Sequence, residues 1–203
     1  MADSPYDVHP GVQMMQKWVE ELPSKTGRTL DQWAELVSKL KTKVRKERIA
    51  FLKEKHKLGT NSAWFIVDYV EDKNTWDGDP AIYLKQAVKY VDGMFSGGTA
   101  GLRPIFEKLQ TAARKLGKDV KVCPCKTIVP FYRNRVFAQV NPITKTRVEL
   151  GLVLVDVPFK GLLKKNPRAN EKDRIQHIIP LESPEDVTKE VLGWLKKAYD
   201  QDA

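Results

Sequence analysis

Cys123-Pro124-Cys125 is the most conspicuous local motif in the chain, and it contains the chain's only two cysteines. A C-x-C pair of thiols can hold a thiophilic metal or close a redox disulfide. A structural zinc site takes four ligands, usually from two C-x₂-C-like pairs. Here only His9, His56 and His177 could supplement the thiols, and all three lie far off in sequence. Lys121 and Lys126 would lower a thiol pKa if the pair were exposed, whereas a pair buried at the start of a strand would be inert. A metal-binding or thiol-redox protein using Cys123 and Cys125 is therefore the alternative reading.

The leading reading comes from charge. The chain carries a formal +9, and between Ser38 and Lys57 nine Lys or Arg face only Glu47 and Glu54, a net +7 in twenty residues. The candidates in that run are Lys41, Lys43, Arg45, Lys46, Arg48, Lys53 and Lys55. A second basic cluster lies between Lys160 and Arg174, while acids gather at 68–79 and towards the C-terminus. A one-sided basic surface attracts polyanions such as nucleic acid or anionic lipid headgroups, so the expected partner is nucleic acid or another phosphate-bearing, anionic ligand. Arginine forks match phosphate and carboxylate oxygens bidentately. Arg133, Arg135, Arg147 and Arg174, on the polar side of alternating strands, are thus expected to add a second anion-binding face. A solvated helix face and the wet side of a half-buried sheet are the bland counterparts of these two readings.

No set of residues identifies a reaction. The chain has no G-x-S-x-G, no P-loop and no G-x-G-x-x-G, and Gly97-Gly98 with Gly101 lacks the strand-turn-helix setting such motifs need. A non-catalytic binding module without a cofactor follows, with a protein partner anchored by Trp76 as a third possibility. The densest apolar stretch, Leu150 to Val155, is six residues and contains Gly151. A bilayer-spanning helix takes about 20, so no membrane insertion is expected. MADSPYDVHPG shows no secretory leader, and with two cysteines the expectation is reduced thiols in the cytoplasm.

The elements that position these residues follow from periodicity. Met15, Trp18, Val19 and Leu22 predict a helix over 11–22 ended by Pro23, and Thr29-x-x-Gln32 is a capping box opening a second helix. A third helix spans Lys43 to Lys57, and Ser62 to Glu71 form a fourth. The fourth is apolar nearly all round, which suits a buried element and not a DNA-reading helix. Asp72 to Asp79 reads as a linker. Pro80 opens a helix to about Phe95, and another runs from Thr99 to Leu116. Beyond Gly117 the period becomes two: Thr127–Arg133, Arg135–Asn141, Arg147–Leu154 and Arg174–Leu181 read as strands. The long loop Val157–Asp173 is suited to act as a lid. Ser183-Pro184 starts a last helix with the stripe Val187, Val191, Trp194, Leu195 and Ala198. The fold class is therefore α+β: an N-terminal helical module, residues 1–75, then a module over 80–203. The latter is an antiparallel four- to five-stranded sheet flanked by helices, with helices on one face and the other face free.

Three N-terminal segments, His9-Pro10-Gly11-Val12, Lys25 to Trp33 and His56 to Asn61, resemble a bacterial helical domain of unknown function. Val122 to Thr127, Phe137 to Pro142 and Thr144 to Leu152 resemble a second uncharacterised domain, sometimes labelled a predicted transport protein. The tandem order is similar too. The resemblance spans nearly the whole chain, implies a boundary near residue 75 and brings no catalytic residues.

Overall fold

The computed structural model describes residues 4–72 and 78–203. They form two compact units, Pro10–Gln86 and the N-terminal segment through His9 together with Ala87–Ala203. The expected linker, and Trp76 within it, falls mostly at 73–77, outside the described residues.

The first unit is built from α1 (Pro10–Thr26), α2 (Leu30–Ser38), α3 (Arg45–His56) and α4 (Thr60–Glu71). α1 does not stop at Pro23 but runs one turn further, to Thr26. A proline in a last turn costs a single backbone bond, and the Pro23 carbonyl in turn accepts the Gly27 amide at 2.8 Å. The capping box is present: Gln32 N donates to Thr29 Oγ1 at 3.2 Å and Thr29 N to Gln32 Oε1 at 2.8 Å. α4 packs against α2 and α3 and buries Ala63, Ile66 and Val67. The core they close contains Trp33, Val37 and Leu52. The Trp33 indole is satisfied by Thr26 Oγ1 at 2.9 Å, as a buried N–H requires.

α5 (Pro80–Met94) leads to a 3₁₀ turn, Gly97–Leu102, and then α6 (Arg103–Arg114). The expected helix from Thr99 is thus two elements: glycines at 97, 98 and 101 favour the tighter turn, and Pro104 restarts the α-helix near its N-terminus. The sheet comprises β1 (Lys121–Val122), β2 (Val129–Tyr132), β3 (Val136–Thr144), β4 (Arg147–Leu152), β5 (Lys164–Lys165) and β6 (His177–Leu181). It is antiparallel throughout, in the order β1-β2-β3-β4-β6-β5. The two strands beyond the expected four are two-residue pairings at the edges, too short to carry a period. The final helix, α7 (Lys189–Gln201), is capped by Thr188, because Ser183 and Asp186 cap a separate 3₁₀ turn at Pro184–Asp186.

Val148, Leu150 and Leu152 pair with Leu181, Ile179 and His177 to make the apolar face, and α7 packs on β3 and β4 with α6 beside it. The opposite face is not free, as the sequence suggested. The segment 166–176 crosses it: Ile175 Cγ2 comes within 2.6 Å of where a Cβ on Gly151 would stand. Only a glycine admits that approach. Residues 5–9 pack on the same unit, with Asp7 N donating to the Val122 carbonyl at 2.9 Å and Val122 N to Asp7 Oδ2 at 2.8 Å. Among the described residues no helix is long and apolar enough to cross a membrane.

Candidate anion-binding surfaces

α3 presents its basic run unevenly. The helix buries Leu52 and packs Ile49 and Phe51 against the core, while positions 46 and 53, seven residues apart, are exposed. Lys41, Lys43, Lys46, Lys53, Lys55 and Lys57 are all exposed, and among the described residues none forms an ion pair. Lys46 and Lys53 share one outward stripe, two turns or about 10 Å apart. Two arginines have other duties. Arg45 is bound by Asp68 at 2.6 Å and Glu71 at 2.5 Å. Arg48 is buried, and its Nε donates to the Thr42 carbonyl at 3.1 Å, which ties the segment before α3 to the helix. His56 is wedged between the Trp33 and Phe51 rings, 5.1 and 5.0 Å away. Burial, and then the Arg28 and Lys55 cations, lower its pKa, so the surface charge at neutral pH belongs to the lysines.

The sheet arginines do not assemble into one open face. Arg133 donates Nε to Asp119 at 2.8 Å, lies 4.3 Å over the Tyr199 ring and reaches the Tyr199 carbonyl at 3.3 Å. Arg174 binds Asp202 Oδ1 at 3.1 Å, and Arg135 offers Asp202 its backbone N–H at 2.7 Å. These groups converge on the C-terminal end of α7, where cations and donors meet the orphan carbonyls and negative dipole end. Arg147 instead faces Glu149, at 3.7 Å. Arg174 and Gln176 precede β6 and are set by its approach loop, not by strand alternation.

What the polar face does hold is a cleft of about 460 Å³ between the sheet and segment 166–176. Glu149, buried in β4, binds Arg168 at its floor. Asn166 is also buried and fixes the segment's two ends: its side chain donates to the Ile175 carbonyl at 3.0 Å, and its backbone N–H to that of Gln176 at 2.8 Å. Three cations, Arg168, Lys172 and Arg174, line the cleft against two carboxylates, Glu149 and Asp173. Sequence reading placed Arg168 and Lys172 only within the basic cluster Lys160–Arg174 and did not single out Asn166, because a loop carries no period. Besides that cluster, the usable signal was Gly151 inside an apolar strand, where the Ile175 side chain comes close to the β4 backbone.

The thiols occupy the far edge of the sheet. Cys123 is fully buried, its Sγ 3.7 Å from the Val8 carbonyl, while Cys125 Sγ lies 3.9 Å from the Cys123 carbonyl. Burial, aided by the Asp7 carboxylate and Cys125, pushes the Cys123 thiol up to about 12. At neutral pH it is protonated and a poor ligand or nucleophile. His9 lies 3.0 Å from the Tyr132 hydroxyl in the same neighbourhood. Among the described residues no group of three or more His, Cys, Asp or Glu is placed to hold a metal ion.

Residues 14–72 match a family described as domain of unknown function (DUF4287), and residues 91–202 match domain of unknown function (DUF5655). No curated protein and no solved structure matches the chain. The second match covers more than half of the residues and takes in the whole sheet, the cleft and α7. The chain belongs to the DUF5655 family, and carries a DUF4287 domain ahead of that one in a tandem arrangement.

Proposed function

We propose that this chain is a non-catalytic binding protein whose N-terminal unit docks a polyanion, nucleic-acid phosphates foremost, on the lysines around α3. The observation that carries the reading is the set of six exposed lysines, Lys41 to Lys57, with no ion pair among the described residues. Arg45, though exposed, is taken up by Asp68 and Glu71, and buried Arg48 by the Thr42 carbonyl, so both brace α3 and leave the lysines to contact the ligand. Contacts of this kind position a protein on a backbone and do not read sequence. The apolar α4 offers base edges little, so recognition is of charge and shape. Of the sheet arginines, Arg133 and Arg174 are committed to acids near the end of α7, which leaves the helical lysines as the principal contacts.

Fluorescence anisotropy with labelled duplex and single-stranded DNA and RNA over a salt series tests this. Binding that weakens steeply and log-linearly with salt is expected. Binding absent at low salt, or indifferent to salt, overturns it.

A further inference from the structure

The cleft of the DUF5655 unit has a different character from the lysine surface: concave but open to solvent, mixed in charge, and partly apolar. Its volume of about 460 Å³ falls within the range of small-molecule sites. Most of its polar groups are already satisfied by neighbours. Asn166 is used up within the loop, Arg174 is held by Asp202, and Arg168 is steered across the cleft by the buried Glu149. Three lining side chains make no hydrogen bond or ion pair among the described residues: Gln139, Asn141 and Lys172. Gln139 and Asn141 point to the same face of β3, about 7 Å apart, opposite Gly151 and Glu149 on β4. Lys172 and the half-exposed Arg168 stand across from them on the loop. Val136 and Ile178 supply apolar wall.

We infer that this cleft binds an adenine nucleotide, with Lys172 and Arg168 taking the phosphate and the Gln139 and Asn141 carboxamides taking the base edge and ribose. The chemistry of the free groups sets that assignment. A carboxamide presents a donor and an acceptor together and so matches the N6–H and N7 of adenine bidentately. A second carboxamide two residues along the strand serves sugar hydroxyls. A lysine and an arginine fork facing them suit a terminal phosphate. An anion alone would leave both carboxamides unmatched, and an uncharged nucleoside would leave Lys172 unmatched. Glu149 acts as a positioning residue: its carboxylate, only 6% exposed against 49% for Arg168, fixes the guanidinium over the cleft.

Isothermal titration of the full chain with AMP, adenosine and inorganic phosphate tests the assignment. AMP is expected to bind about ten-fold or more tighter than either fragment, since each lacks one set of matched hydrogen bonds. Lys172→Ala should cost AMP about ten-fold and leave adenosine unchanged, as loss of one charge-assisted contact predicts. Gln139→Ala should weaken AMP and adenosine alike, and AMP should be favoured over GMP and CMP. Lys172 is exposed, so its variant keeps the fold. No saturable AMP binding, phosphate binding as tightly as AMP, or an unaffected Lys172→Ala each overturns the inference. Because the site lies in the other unit, a Lys46→Gln/Lys53→Gln protein should bind AMP normally, so this test stands or falls separately from polyanion docking.

Discussion

Tyr199 of α7 donates its phenol to Oδ1 of Asp119 at 2.8 Å, and Arg133 donates Nε to the other oxygen, Oδ2, at 2.8 Å. One carboxylate just before β1 therefore links the last helix to the β2–β3 turn. Gly117 stands beneath this junction: a Cβ there would lie 2.2 Å from the Tyr199 hydroxyl oxygen and 2.3 Å from Asp119 Oδ1. Gly117→Ala is expected to break the junction and lower the melting temperature. The same substitution in a Tyr199→Phe/Asp119→Ala background should cost much less. Equal losses in both backgrounds would show that the junction is not what Gly117 protects.

Asp119 also sets a pH dependence. The hydrogen bond from Arg133, and then that from Tyr199, hold its carboxyl below the usual carboxylate range. A depressed folded pKa gives stability that is full above the unfolded value, about 3.9, and is lost as pH falls through the folded one. The gap in stability between wild type and Asp119→Asn should therefore be constant at neutral pH and narrow below about pH 4. Thermal melts at pH 2.5 to 7 measure it. A gap that stays constant down to pH 2.5 argues against a charged Asp119.

Replacing both Lys46 and Lys53 by Gln removes two phosphate contacts from the outward stripe of α3. The slope of log K against log salt should fall by about 0.9 per lysine on duplex DNA. Burial and nearby cations lower the His56 pKa, so affinity should not change between pH 7 and 8. A sharp change in that window would assign the charge to histidine instead.

Cys123 should resist thiol reagents in the native state and react on unfolding, whereas half-buried Cys125 marks the accessible position. Because the folded thiol is pushed up to about 12 from 9.0, its contribution to stability is complete below pH 9 and declines as pH rises towards 12. The decline is at most about 1.4 kcal/mol per pH unit. Cys123→Val should flatten that alkaline slope. Rapid native modification of Cys123 would contradict the burial argument.

Thr29→Ala removes the cap that accepts the Gln32 amide and should cost about 1 kcal/mol in urea unfolding, the usual value of a lost N-cap. Gln32→Ala should cost less, since its bond to the solvent-facing Thr29 N–H is replaced by water.

Local signals carried a large part of this fold. The Thr29 box, the stripe Trp33-Val37 behind it, Pro80 as a helix start and the alternation in Arg147 to Leu152 each act over a few residues, where sterics and hydrogen-bond geometry suffice. The same holds for the basic character of α3, which is a property of composition. What local pattern missed were the ends of elements: α1 beyond Pro23, the 3₁₀ turn from Gly97, and the two short edge strands. Each depends on which neighbour supplies the next hydrogen bond.

The sequence by itself determined an α+β chain with a helical first half, an antiparallel sheet and a lysine-rich third helix. Only the tertiary structure decided which charges remain available. Arg45, Arg133 and Arg174 found carboxylates 14 to 28 residues away, while the lysines of α3 stayed in solvent and the loop between β5 and β6 folded over the polar sheet face. Ion pairing and loop placement are set by distance in space, on which periodicity along the chain is silent.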